Sequence, residues 1–172
     1  ERIYMTTEQT NLMRAQQKMG WRAYKFDLYD ERNEVCMRVE RPEMTCMCCC
    51  GCCSSCQNMS IVESPVGVLA GALLTRGGCC SVSVAVRDEH GNEVLRMKGP
   101  SCTCYEGDVQ FNFNGSDGQA SIKHKSGANL RTEVNSDIEA DVFEIEFPFD
   151  MDIRTKATLI GACILIDFTH FQ

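Results

Sequence analysis

Cysteine is the residue type whose number and spacing could do chemistry in this sequence. The chain contains 13 cysteines, and seven of them lie between positions 46 and 56. Neighbouring cysteines do not readily pair with each other, because disulfide geometry fixes the Cα separation and the Cβ directions. A secreted disulfide scaffold instead spreads its cysteines so that each closes a separate loop. The clustering and the odd total therefore predict a reducing compartment.

Three uses of this cysteine-rich loop, residues 46–56, are open from the residues alone. Cys-x-Cys and Cys-x-x-Cys spacings suit Zn²⁺ or Cu(I), with Cys79, Cys80, Cys102 and Cys104 as possible second pairs. Fatty acyl chains on exposed, crowded thiols would instead anchor the loop to a bilayer. A loop of small residues without assigned chemistry is the third possibility. We favour acylation over metal binding.

Composition limits the classes of function. The chain has 172 residues, is 44% hydrophobic and 24% charged, and carries a formal net charge of −7. These values predict one globular domain over residues 1–172. A general nucleic-acid binder needs a basic face, so that class is excluded. Anionic lipids also repel an acidic surface, so membrane attachment would need something other than a polybasic patch.

The dominant pattern is alternation of apolar and polar residues, which is typical of strands with one buried face. Residues 24–28, 82–86, 109–113 and 143–149 show it. Residues that favour tight reversals separate such segments, at 30–33, 88–92 and 114–118. The sequence therefore predicts a mainly β, mainly antiparallel fold, either a sandwich or a barrel.

The C-terminal segment, residues 156–171, breaks this alternation and is apolar on nearly every face. As a helix its apolar part would be about 22 Å long, short of the hydrocarbon thickness of about 30 Å. We therefore expect a central hydrophobic helix buried inside the β fold, and membrane insertion is the alternative. Its apolar residues are Leu159, Ile160, Ile164, Leu165, Ile166 and Phe168.

Three stretches of the chain carry specific motifs. Residues 39–42 read Val-Glu-Arg-Pro and are followed by the cysteines at 48–53, residues 64–67 read Ser-Pro-Val-Gly, and residues 147–168 start Phe-Pro-Phe-Asp. In this order they resemble the acylation segment, the middle and the C-terminal signature of the phospholipid scramblases. The resemblance implies a tubby-like fold, a twelve-stranded antiparallel barrel around a hydrophobic C-terminal helix.

The resemblance also implies a function, namely calcium-dependent, ATP-independent, bidirectional movement of phospholipids between leaflets. It implies palmitoylation that directs the protein to the cytoplasmic face of the plasma membrane. The corresponding acyl sites are Cys48, Cys49, Cys50, Cys52 and Cys53. The family's nuclear-import segment falls near residues 123–127. Upstream of it Ala120 replaces the expected lysine, and within it Lys125 replaces the expected aromatic residue, which argues against import.

The family's calcium segment corresponds to residues 139–150. With the neighbouring acidic turn, the candidate ligands are Asp137, Glu139, Asp141, Phe143 and Asp150. A calcium loop needs a glycine at its sharp turn and oxygen ligands at alternate early positions. Here Phe143 and Glu144 occupy the fifth and sixth positions, and the stretch that follows alternates like a strand. An acidic turn that leads into a core strand is therefore the alternative to weak calcium binding.

The sequence departs from the family at further points, including extra residues after the cysteine cluster and between Gly127 and Glu139. Gly51 stands where the family has a proline between the cysteine groups. The family's proline-rich N-terminal region and first strands are absent, so the chain is a fragment or its barrel is incomplete, with an unpaired edge.

The sequence contains no nucleophile or phosphate-binding motif. Three hypotheses for the function follow, and none of them requires catalytic residues. The first is an acylated scramblase that acts on phospholipid membranes. The second is a membrane-tethered adaptor that binds lipid headgroups or protein partners without direct scrambling. The third is a thiolate metal-binding domain.

Overall fold

The computed structural model describes residues 4–8, 23–42, 58–78, 81–99, 108–125 and 142–170. These residues form ten strands and one helix, α1, which spans Ile153–His170. In chain order the strands are β1 Tyr4–Glu8, β2 Tyr24–Tyr29, β3 Val35–Arg41, β4 Asn58–Glu63, β5 Leu69–Gly78, β6 Ser81–Arg87, β7 Glu93–Lys98, β8 Val109–Gly115, β9 Gly118–Lys125 and β10 Val142–Glu146.

The strands make a single sheet in which each strand pairs antiparallel with the next one along the chain. Among the described residues β1 and β10 do not pair, so the sheet is open between them. This confirms the predicted fold class, a mainly β, incomplete antiparallel barrel around a hydrophobic C-terminal helix.

Local hydrogen bonds explain why the chain reverses at the predicted turns. The Asp30 carboxylate accepts from the amides of Arg32 and Glu34, at 2.8 and 2.9 Å. Asp88 repeats this arrangement in the β6–β7 turn, where it accepts from the amides of His90 and Asn92. Aspartate favours such turns because its short side chain bonds to the backbone two to four residues on.

The alternating residues place one side of each strand inside the fold. Phe26 and Leu28 in β2 and Phe111 and Phe113 in β8 are all buried, while the residues between them are more exposed. Period-two alternation sends successive side chains to opposite faces of a sheet, so the inner face becomes continuous and apolar.

Helix α1 covers that inner face. It begins three residues before the predicted segment, because Asp152 caps it: the Asp152 carboxylate accepts from the amides of Arg154 and Thr155, at 2.9 and 3.1 Å. Leu159, Leu165 and Ile166 are fully buried in the core cluster. The helix therefore fills the interior.

Antiparallel order divides the connections between two edges of the sheet. One edge, which we call the rim, carries the tight turns at 30–34, 64–68, 88–92 and 115–118 and the start of α1. The strand ends that lead into residues 43–57, 79–80 and 100–107 share the opposite edge. We call this second edge the cysteine edge, since eleven of the 13 cysteines belong to those three segments.

Candidate functional site

The five predicted acylation sites, Cys48, Cys49, Cys50, Cys52 and Cys53, lie outside the described residues, as does the whole cysteine-rich loop 46–56. The flanking strands fix where the segment attaches to the fold. β3 ends at Arg41 and β4 begins at Asn58, and these two ends belong to the cysteine edge.

A buried polar cluster stands where the chain enters this segment. Arg41, which is 1% exposed, lies opposite Tyr24 in the β2–β3 register, with its guanidinium carbon 4.7 Å from the ring centroid. The Tyr24 and Ser60 hydroxyls share a hydrogen bond of 2.9 Å. Burial raises the pKa of Tyr24, against a smaller opposing effect of the Arg41 charge. The cluster joins β2, β3 and β4 beside the cysteine segment.

This cluster is absent from the sequence-based predictions. Arg41 enters them only as part of the Glu-Arg-Pro match, and Ser60 does not enter at all. The sequence does contain a signal for this cluster: Arg41 ends a strand, and the neighbouring strand alternates aromatic and polar residues. Cation–π contact allows such an arginine to be buried against the ring.

Two of the candidate calcium residues, Phe143 and Asp150, lie within the described part of the chain. Asp137, Glu139 and Asp141 lie outside the described residues, immediately before β10. Phe143 is half-buried in β10, with its ring 5.1 Å from that of His124. Asp150 is exposed in the turn beyond the other end of this five-residue strand, which is about 16 Å long. A single ion held just before β10 would therefore not be in reach of Asp150.

The apolar side chains predicted for the helix lie mostly inside the protein. Leu159, Ile164, Leu165 and Ile166 are buried, and Ile160 is half-buried against the core. Phe168 belongs to α1, but its side chain is not among those that the structure describes. Cys163 packs against the same core; burial, reinforced by the Asp167 charge, raises the pKa of its thiol to about 12.

Two lysines of the stretch that corresponds to the family's import segment form ion pairs on the outer face of the sheet. Lys123 pairs with Glu146 and Lys125 with Glu144, each at 2.9 Å. The Lys123 hydrogen bond lowers the pKa of Glu146 and, reciprocally, the carboxylate raises that of Lys123. These lysines therefore face β10 carboxylates.

The same outer face holds a shallow pocket of about 550 Å³ that the sequence did not predict. Asn112, Ser121 and Glu146 stand in one row across β8, β9 and β10. Gln110 donates to Asn112 at 2.8 Å within this face. The polar residues that line the pocket are Gln110, Asn112, Asn114, Gln119, Ser121 and Glu146. Such a surface can hydrogen-bond an uncharged polar molecule.

The described residues contain neither a cluster of metal ligands nor a helix that could span a membrane. Within the described ranges, no three His, Cys, Asp or Glu side chains come together as metal ligands. No helix in the part of the chain that the structure describes, α1 included, combines the length and the hydropathy that crossing a bilayer requires.

Comparison with known proteins identifies the family. The scramblase family model matches residues 1–172, the whole chain. The chain belongs to the scramblase family. It is 33% identical to human phospholipid scramblase 1 over 178 residues, covering 100% of this chain and 54% of that protein. Mouse phospholipid scramblase 4 is 32% identical over 174 residues, covering 99% of this chain and 52% of the relative.

Human phospholipid scramblase 2 is similar to the same extent, at 32% identity over 179 residues, with 100% of this chain and 57% of that protein covered. The chain thus spans about half the length of the curated relatives that it matches. No solved structure matches the chain significantly.

Proposed function

We propose that this scramblase-family chain takes part in the bidirectional, ATP-independent movement of phospholipids between membrane leaflets. The observation that supports this is the match to the family over all 172 residues, from β1 through α1. Lipid movement forms and breaks no covalent bond, so the activity needs no nucleophile and no general acid or base.

Acyl chains on Cys48, Cys49, Cys50, Cys52 and Cys53 would hold the protein at the cytoplasmic face of the plasma membrane. Each buried methylene of a fatty chain contributes about 0.8 kcal/mol, so two or more chains anchor a protein stably. An anchor of this kind suits a chain with a net charge of −7, which cannot rely on basic residues.

Calcium would bind weakly through Asp137, Glu139 and Asp141, because clustered carboxylate oxygens are the ligands that this ion prefers. Phe143 would lie beside that site as the first inward residue of β10, and Asp150, beyond the far end of the strand, would not contribute. Zinc held by cysteine thiolates is the weaker alternative for a bound metal.

Reconstitution tests the activity. Purified chain in vesicles with a fluorescent lipid in both leaflets is exposed to a quencher that reaches only the outer leaflet. Scrambling raises the quenched fraction from about half towards the whole. We expect this rise with calcium, and a smaller rise for the variant Asp137→Asn/Glu139→Gln/Asp141→Asn. Asp150→Asn is the matched control and should retain the calcium response. Quenching no greater than in empty vesicles would contradict direct scrambling.

Acyl-biotin exchange tests the anchor in cells. The variant with alanine at positions 48, 49, 50, 52 and 53 should lose the biotin label and move from the membrane fraction to the soluble one. Cys36→Ala, which changes a half-buried thiol in β3, is the control and should leave both unchanged. A five-alanine variant that still sediments with membranes would show that another feature anchors the chain.

One observation favours a second candidate function, an acylated adaptor that binds lipids or proteins without moving lipids. Leu159, Leu165 and Ile166 fill the interior of the sheet, so the described fold leaves no polar path for a headgroup. If membranes bind the chain but the vesicle assay shows no lipid movement, the adaptor is the better account.

A further inference from the structure

The rim exposes large apolar side chains that the fold does not cover. Phe149 is 99% exposed and Ile153 is 79% exposed. Phe147, Val68 and Leu69 are between 39% and 44% exposed. Water contact at so many large apolar groups on one edge is unfavourable, and a cluster of this kind commonly marks an interaction surface.

The first turn of α1 holds the two phenylalanines in place. The amide of Met151 donates to the carbonyl of Pro148 at 3.3 Å, which closes a turn around Phe149. The Lys156 ammonium donates to the Phe149 carbonyl at 2.6 Å and lies 5.4 and 5.7 Å from the ring centroids of Phe147 and Phe149. Because this backbone is already ordered, binding through Phe149 would cost little additional chain entropy.

The β4–β5 turn extends the same surface. Leu69 stands two residues before Gly71, where an added Cβ would lie 2.5 Å from the Thr158 hydroxyl. Thr158 in turn donates to the carbonyl of Arg154, next to Ile153. Val68 and Leu69 therefore share the rim with the start of α1. The five residues Val68, Leu69, Phe147, Phe149 and Ile153 form what we call the rim patch.

The charges around the rim patch define the kind of surface that it fits. Glu89 forms an ion pair with Arg154, Asp152 caps α1, and Asp150 is exposed beside Phe149. Together with Lys156, the named residues supply three carboxylates and two cations, on a chain that is acidic overall. An anionic lipid surface would be repelled, whereas the outermost group of phosphatidylcholine is a quaternary ammonium, which carboxylates and aromatic rings attract.

We propose that the rim patch inserts into the headgroup region of a phosphatidylcholine bilayer. Phe149 and Ile153 enter the boundary between headgroups and acyl chains, and Lys156 remains at phosphate level with its stem beside the rings. This surface deepens the proposed function, on which it rests, by naming the part of the fold that meets zwitterionic lipid without any acyl chain.

Flotation of the full chain with vesicles of pure phosphatidylcholine tests the proposal, with the thiols kept reduced and unacylated. We expect the Phe149→Gln/Ile153→Gln variant to partition about tenfold more weakly than the unchanged chain. Met59→Gln removes an apolar side chain of 39% exposure at the cysteine edge and should alter partitioning less than about twofold. Equal thermal midpoints for the three proteins verify that folding is intact.

Lipid composition supplies the second arm. Replacing a third of the phosphatidylcholine with phosphatidylserine should weaken binding without calcium. The proposal is overturned if the unchanged chain does not bind phosphatidylcholine vesicles, or if the double variant binds them as well as the unchanged chain. It is likewise overturned if binding requires phosphatidylserine. It is also overturned if sedimentation velocity shows that the patch instead joins two copies of the chain. Flotation does not depend on lipid movement, so failed scrambling with intact flotation would reject the proposed function alone.

Discussion

Gly71 of β5 lies directly against Thr158 of α1. A Cβ added to Gly71 would stand 2.5 Å from the Thr158 hydroxyl oxygen and 2.4 Å from the carbonyl oxygen of Arg87. Real side chains do not approach so closely, and a carbonyl in a paired strand cannot move aside cheaply. The absence of a side chain at position 71 therefore sets how near the helix comes to the sheet.

Gly71→Ala should lower the free energy of unfolding by about 3 kcal/mol, because helix and sheet must separate to admit the methyl group. Gly67→Ala is the matched control: its φ is +88° and nothing lies within 4 Å of an added Cβ, so only the backbone strain of about 1–2 kcal/mol applies. Urea unfolding of both variants measures the difference. Equal losses would contradict the close approach.

Leu159→Ala should cost about 3 kcal/mol of unfolding free energy, since the leucine is fully buried in the core cluster. Ile153→Ala, in the first turn of the same helix, should cost less than about 0.5 kcal/mol because its side chain is mostly exposed. Chemical unfolding in detergent-free buffer compares them. A Leu159→Ala chain as stable as the parent would mean that α1 does not fill the interior.

Acid should remove a contribution from the pair formed by Asp27 and Arg38. The Asp27 carboxylate accepts from Nε and Nη2 of Arg38, at 2.6 and 3.0 Å, and these bonds hold its pKa below the ordinary 3.8. A carboxyl with a lowered folded pKa stabilises the fold above its unfolded pKa, and this contribution disappears as the pH falls through the folded one.

Asp27→Asn should therefore lose about 1 kcal/mol at pH 7 and show a shallower decline of stability below pH 4. Glu93→Gln removes the partner of Arg96 in an ion pair whose two side chains are about one third exposed, and it should change stability by less than about 0.5 kcal/mol. Thermal unfolding between pH 2.5 and 7 distinguishes the two. Parallel pH profiles for Asp27→Asn and the unchanged chain would refute the role of the pair.

The thiol of Cys163 should resist alkylation in the folded protein. With a pKa of about 12, raised mainly by burial, it stays protonated at pH 8, and only the thiolate is nucleophilic. Mass spectrometry after iodoacetamide treatment should find Cys163 unmodified until urea is added. Rapid modification in native buffer would contradict its packing against the core. The same protection would keep acyl chains off this cysteine.

The alternation of residues 24–28 and 109–113 was enough to predict strands and their inward faces, and the aspartates predicted two of the turns. β4 and β5 were missed. In β5, Leu73 and Leu74 are both buried although they point to opposite faces, and Gly71 interrupts the pattern. A strand segment that is buried on both sides shows no period of two, so periodicity could not reveal β5. In β4 the exposed Met59 and the buried Ser60 run against the expected alternation.

The candidate site was less accessible to sequence reasoning. Of the calcium candidates, the structure describes two: Phe143 lies within β10 and Asp150 lies beyond its end. Tyr24, Arg41 and Ser60 meet only through the β2–β3 and β3–β4 pairings, which no local pattern encodes. The rim patch likewise depends on which turns meet the start of α1, a consequence of topology.

The place of α1 after all ten strands matters for how the protein is made. Translation completes all ten strands before it reaches the residues that cover the inner face of the sheet. Until α1 has left the exit tunnel, the strands already released keep that apolar face uncovered, open to aggregation or to a chaperone. A premature stop codon before residue 153 would therefore yield a sheet whose apolar inner face is never covered by α1.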